Sequence, residues 1–223
     1  MTLNDYPDTE MLAINLANVL AGKLTATLMH EDRATLVVPG GTTPGPVFDT
    51  LCDADLDWSR VDVMLSDERW VPEDDPRSNA RLIRARLLTG RAAAATFHPF
   101  YAGGDDPETV LSDVEERIAP LLPVSVALLG MGADMHTASL FPRGDALRLA
   151  LDPGAPILVT MRAPGLDCTR VTLSAPVLRA ALSLHLVIIG QDKRDALDRA
   201  MTLPPEEAPV AAILPEAEVH WAA

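Results

Sequence analysis

The chain has 223 residues, 48% of them apolar, enough to bury one core, and residues 1–223 are expected to form a single domain. Its 18 Lys and Arg face 32 Asp and Glu, a net charge of −14, which argues against nucleic acid and against an anionic membrane surface, since both require a basic patch. A small anionic ligand stays open, provided that local cations and backbone N–H groups meet it. No apolar stretch reads as a membrane span, and MTLNDYPDTE lacks the charged and apolar regions of a secretory signal. Cys52 and Cys168 suit neither a metal knuckle nor a disulfide framework, so the expectation is a cytoplasmic protein with free thiols.

Residues 9–30 repeat apolar side chains at three- and four-residue steps. Leu12, Leu16, Val19, Leu20 and Leu24 share one stripe, which predicts an amphipathic helix. ATLVVP (34–39) reads as a buried strand ended by Pro39-Gly40-Gly41, and PGPVFDTLC (44–52) as a helix with proline in its first turn. VDVMLS (61–66) is a second buried strand, Ser78 caps a helix, residues 107–122 form another, and SVALLG (125–130) is a third strand. ILVTM (157–161), TRVTLS (169–174) and LHLVIIG (184–190) are further strands, QDKRDALDRAM (191–201) is helical, and PVAAIL (209–214) and VHWA (219–222) are read as closing the sheet. Apolar strands alternating with helices predict an α/β fold, a Rossmann-like, mostly parallel sheet with helices on both faces. Ligands bind such sheets beyond the C-terminal strand ends, so the loops after strands carry the functional reading.

Three of these loops combine chemistry. In PGGTTPGP (39–46), Gly40 and Gly41 admit a ligand close to the backbone, and Thr42 and Thr43 add hydroxyls suited to a phosphate. SDERWVPEDDPRSN (66–79) places Asp67 for a sugar hydroxyl or a proton and Arg69 for a bidentate phosphate contact. GMGADMHTASLFP (130–142) presents Asp134 and His136 in a glycine-rich turn, where an imidazole can act as a general base oriented by a carboxylate. Arg170 and Lys193 recur at a strand start and in a first helical turn. Each loop alone also reads as an ordinary tight turn or a salt-bridged surface; the set together reads as a phosphate site beside acid–histidine chemistry. His30, His98, His185 and His220 read as structural or surface residues. No His, Cys or Asp pair has metal-ligand spacing, so neither a metal nor another cofactor is expected.

VPGGTTP, SDERWVPEDDPRSN, LLGMGADMHTASLFP, RVTLS and GQDKRDAL, in this order, resemble the 6-phosphogluconolactonase family from about residue 9 onward. The resemblance implies the architecture of the glucosamine-6-phosphate deaminase/ribose-5-phosphate isomerase-like group and hydrolysis of 6-phospho-D-glucono-1,5-lactone without a metal. It implies His136 as the water-activating base and Asp134 as its orienting acid or a sugar contact. Gly40, Gly41, Thr42, Arg69, Arg170 and Lys193 would hold the phosphate, and Asp67 would contact the sugar. The expected partner is a phosphosugar lactone, acted on by a monomer or small homo-oligomer. One departure stands out: the family has glycine between acid and histidine, and this chain has Met135. Either the turn differs, or it carries a left-handed methionine at about 1–2 kcal/mol. Two alternatives remain beside the lactonase. A deaminase would need an acid soon after the histidine, and none occurs before Asp145. A phosphosugar-binding protein without catalysis would keep the cations and dispense with the base.

Overall fold

The computed structural model describes residues 1–223. In chain order it forms β1 (Thr2–Tyr6), α1 (Thr9–Leu28), β2 (Ala34–Val38), α2 (Gly45–Leu51), β3 (Val61–Leu65), β4 (Asp67–Arg69) and α3 (Asn79–Arg86). There follow β5 (Thr96–His98), α4 (Leu111–Ile118), β6 (Val126–Gly130), α5 (Leu147–Leu151), β7 (Leu158–Met161) and β8 (Arg170–Leu173). The chain ends with α6 (Ala175–Arg179), β9 (Ser183–Ile189), α7 (Gln191–Ala200) and β10 (Ala217–Ala222). Seven strands make one sheet in the order β1-β10-β9-β6-β2-β3-β5, every neighbouring pair parallel. The expected α/β architecture, a parallel sheet flanked by helices, is therefore present. Every residue of β2 and β3 is buried, which is why these strands read as mostly apolar runs, interrupted only by Thr35 and Asp62, and not as alternations.

The helices follow their local signals. The Asp8 carboxylate accepts from the Met11 N–H at 2.7 Å and caps α1. The Ser78 hydroxyl accepts from the Arg81 N–H at 3.2 Å and caps α3. Contrary to the sequence expectation, α1 is long and apolar enough to cross a membrane, at 20 residues with a mean hydropathy of 1.3 over an 18-residue stretch. Its apolar stripe, Leu12, Leu16, Leu20 and Leu24, lies instead in the protein core.

Other expectations are corrected. PVAAIL is no strand: Pro209–Ala212 and Leu214–Glu216 are 3-10 turns, and only Ala217–Ala222 closes the sheet. Pro209 and Pro215 lack the N–H groups that a sheet ladder requires. The helix expected over 107–122 is confined to Leu111–Ile118 between two 3-10 turns, each with a proline near its start. The strands at 157–161 and 169–174 leave the main sheet; β7 and β8 join β4 in a separate antiparallel sheet, ordered β4-β8-β7. The strands β1, β4 and β5 were not predicted. The first and last are sheet edges with one partner each, and β4 spans three residues, so none shows a buried apolar run.

Candidate active site

A cleft of about 280 Å³ lies beyond the C-terminal ends of β2, β6 and β9. The strand order diverges here: β2 has β3 on one side and β6 on the other. This is the topological position at which open α/β sheets bind ligands.

The turn after β6 supplies one wall. The Gly132 N–H donates to the His136 carbonyl at 2.9 Å, and the Met135 N–H donates to the Gly132 carbonyl at 3.0 Å. This closes a tight loop in which Met135 takes φ 68°. The methionine therefore keeps the left-handed turn that glycine would favour, and the turn accepts the associated strain of about 1–2 kcal/mol. The half-buried Met135 packs against the core, and its carbonyl accepts from the Val210 N–H at 3.0 Å, which anchors the strained residue. His136 Nδ1 lies 2.5 Å from Asp134 Oδ1, and no hydrogen bond engages Nε2. The imidazole beside it holds the Asp134 carboxyl below the usual carboxylate range. The Phe141 ring stands 4.6 Å from the imidazole, centroid to centroid. Gly132 allows this packing, because a Cβ there would overlap His136 Nδ1 and Cε1 and Asp134 Oδ1.

The opposite wall is the loop after β2. Gly40, Gly41, Thr42 and Thr43 all line the cleft, and Gly41 has φ 86°. Arg69 and Lys193 are the cations lining it. The Arg69 guanidinium donates to the Arg77 carbonyl, which fixes its reach. Lys193 forms no salt bridge and sits in the first turn of α7, where the helix dipole disfavours a cation. An anion in the cleft would answer both deficits. Asp67 also lines the cleft, held by the Ser66 hydroxyl at 2.8 Å and the Ser139 hydroxyl at 2.6 Å.

The structure thus gathers His136, Gly40, Gly41, Thr42, Asp67, Arg69 and Lys193 around one space, with Asp134 behind the imidazole. Arg170 is not among the lining residues. It faces Arg69 across the β4–β8 ladder, is buried, and donates to Cys168 Sγ at 2.7 Å and to Asp167 at 3.3 Å. Its guanidinium engages the Asp167–Cys168 segment, a pairing the sequence reading did not anticipate.

Other residues were not singled out from the sequence. Asn79 lines the cleft, donates to the Asp67 carbonyl at 2.9 Å, and packs so tightly on Gly40 that a Cβ there would overlap its amide. The fully buried Glu68 accepts from the backbone N–H groups of Arg69 and Asn79 at 2.7 Å and of Ala80 at 2.8 Å. One carboxylate therefore ties β4 to the start of α3 and holds Arg69 and Asn79 together. Burial pushes the Glu68 carboxyl above its ordinary range, although the three N–H donors oppose the shift. The Ser-Asn pair, a helix start on a loop after a strand, was the available signal for Asn79; nothing in the spacing marks Glu68 as buried.

A parallel sheet whose strand ends hold a carboxylate-oriented histidine opposite a glycine loop and two cations defines a class of phosphosugar enzymes. The comparisons place the chain within it. Residues 7–221 match the model of the family described as glucosamine-6-phosphate isomerases/6-phosphogluconolactonase, and the chain belongs to that family. It is 42% identical to a 6-phosphogluconolactonase of Pseudomonas aeruginosa over 213 residues, covering 94% of this chain and 90% of the relative. It is 40% identical to the 6-phosphogluconolactonase of Mesorhizobium japonicum, covering 98% of this chain and 94% of the relative. A solved 6-phosphogluconolactonase from Shewanella baltica superposes with a TM-score of 0.96 at 30% identity, covering 100% of this chain and 98% of that one.

Proposed function

We propose that this chain is a lactone hydrolase that converts 6-phospho-D-glucono-1,5-lactone to 6-phosphogluconate, the whole chain acting as one domain. Membership of the family, with relatives named as 6-phosphogluconolactonases, supports the substrate. One observation carries the mechanism: His136 lines the cleft with Nδ1 tied to Asp134 and Nε2 without a partner. With Asp134 accepting from Nδ1–H, the Nε2 lone pair is the base. His136 Nε2 takes a proton from water as the oxygen attacks the lactone carbonyl carbon. The tetrahedral intermediate then expels the ring oxygen, and the imidazolium returns its proton to that oxygen. Asp134 stabilises the imidazolium between the two transfers. A positioned base of this kind contributes about 10²–10⁴-fold in rate.

Arg69, Lys193 and the Gly40–Thr43 loop hold the phosphate, and Asp67 contacts a sugar hydroxyl. The phosphate is remote from the reacting carbon, so its binding serves to orient the lactone. The test generates the lactone in situ from glucose 6-phosphate with its dehydrogenase and follows lactone loss above the spontaneous rate, with EDTA present. The parent accelerates the loss, and His136→Ala lowers kcat by about 10²-fold or more while still binding 6-phosphogluconate. A parent that binds 6-phosphogluconate without accelerating lactone loss would make this a binding protein. A fully active His136→Ala would remove the histidine from the chemistry.

A further inference from the structure

Outside the cleft, the structure joins two histidines that are 35 positions apart in the sequence. His185 on β9 and His220 on β10 are fully buried on one face of the main sheet. His185 Nδ1 and His220 Nε2 face each other at 3.1 Å. Each ring's far nitrogen is held by a hydroxyl: Ser183 Oγ lies 2.9 Å from His185 Nε2, and the Tyr6 hydroxyl lies 2.9 Å from His220 Nδ1. Glu218, in register with His185 across the β9–β10 ladder, brings Oε2 to 3.8 Å from His185 Nδ1. The three donor atoms fall within 4.8 Å of one another.

We propose that His185 Nδ1, His220 Nε2 and a Glu218 carboxylate oxygen form a binding site for a divalent transition cation of the zinc type. Two imidazole nitrogens and one carboxylate oxygen suit such an ion. Two nitrogens bound to one tetrahedral ion at about 2.0–2.1 Å stand about 3.3 Å apart, close to the separation already set here. The hydroxyls of Ser183 and Tyr6 act as the outer partners that fix the orientation of metal-binding imidazoles. Burial keeps both rings in the neutral form that ligates metal, pushing each down to about 4. Without metal, one facing nitrogen carries the proton shared by the pair. Binding moves that proton to the far nitrogen of the same ring, which then donates to its hydroxyl, so no net proton is lost from the imidazoles. The half-exposed Glu218 carboxylate gives the ion its route in and leaves a fourth position for water. The exposed Lys23 ammonium on α1 acts on His185 against a cation, and the Glu218 charge offsets it.

This site is separate from the cleft. Val187, Ile188 and Ile189 line the cleft from the C-terminal end of β9, whereas His185 lies nearer the start of that strand. The bound ion would clamp β9 to β10 and serve the fold, not the chemistry.

The test uses untagged full-length protein, both the parent and His136→Ala, to exclude the cleft imidazole. Each is titrated with Co²⁺, read by its visible d–d absorption, and then with Zn²⁺. One Co²⁺ per chain with four-coordinate absorption is expected in both, displaced by one Zn²⁺, with a rise in Tm on loading. Glu218→Gln, a half-exposed position, weakens binding tenfold or more without changing lactone hydrolysis, and His220→Asn abolishes it. Absence of stoichiometric absorption, or binding undiminished by Glu218→Gln, overturns the site even where His220→Asn does not fold. Binding that disappears in His136→Ala places the ion in the cleft and equally refutes the proposal.

Discussion

Gly132→Ala tests how the histidine is positioned, because the added methyl meets the imidazole itself. Gly132 does not occupy the left-handed region, so its backbone accommodates alanine without strain. The new Cβ overlaps His136 Nδ1 and Cε1, and the ring must retreat by about 1 Å to restore an ordinary contact near 3.4 Å. The same methyl overlaps Asp134 Oδ1, so ring and carboxylate cannot keep their 2.5 Å contact in place. A misplacement of about 1 Å in a reacting group costs about 10²-fold in rate, or about 2.7 kcal/mol of barrier. The residues proposed to hold the phosphate lie on other segments, so the loss falls on kcat with KM nearly unchanged. The assay is lactone loss above the spontaneous rate at several substrate concentrations, beside a thermal melt of the same sample. A variant within threefold of the parent in kcat, at unchanged Tm, would refute the view that Gly132 is small because His136 crosses it.

Three further outcomes follow from named contacts. Met135→Gly keeps kcat within about twofold, because the turn already has the left-handed form; the strain relieved, about 1–2 kcal/mol, is offset by chain entropy and lost packing. A large gain in rate would show that Met135 displaces His136. Glu68→Gln destabilises the protein by about 1–3 kcal/mol in urea unfolding, because either orientation of the amide points its NH₂ at a backbone N–H donor; equal stability would contradict the role of the carboxylate. Burial raises the Asp62 carboxyl, but hydrogen bonds from Arg33 and His98 outweigh that and hold it below the ordinary range. Its folded value lies under its unfolded one, so its contribution is complete above about pH 4 and disappears as pH falls through the folded value. Asp62→Asn therefore costs about 1–2 kcal/mol at pH 7, discounted because Arg33 is half-exposed, and flattens the acid limb of stability below pH 4. An acid limb matching the parent's would exclude this linkage.

Much of the fold was legible because its signals are local. The buried strands β2, β3, β6 and β9 are mostly apolar runs, and α1 carries its stripe and α3 its Ser78 cap within a few residues. The candidate site was legible for the same reason: the segments that follow those strands contain Gly40, Asp67, Arg69, Asp134 and His136, and parallel topology sends all such segments to one end of the sheet. Edge strands were invisible, since β1 and β5 pair on one side only and bury no continuous run.

Sequence alone determined the class of fold, the end of the sheet that holds the cleft and the histidine that lines it, because periodicity and turn chemistry act over a few residues. Tertiary structure decided what depends on distant partners. It turned Arg170 into the small sheet, buried Glu68 as the link between β4 and α3, pressed Asn79 against Gly40 and brought His185 to His220. Each of these results from which strands become neighbours. Neighbour choice is set by burial of the whole core, and no short window of residues encodes it.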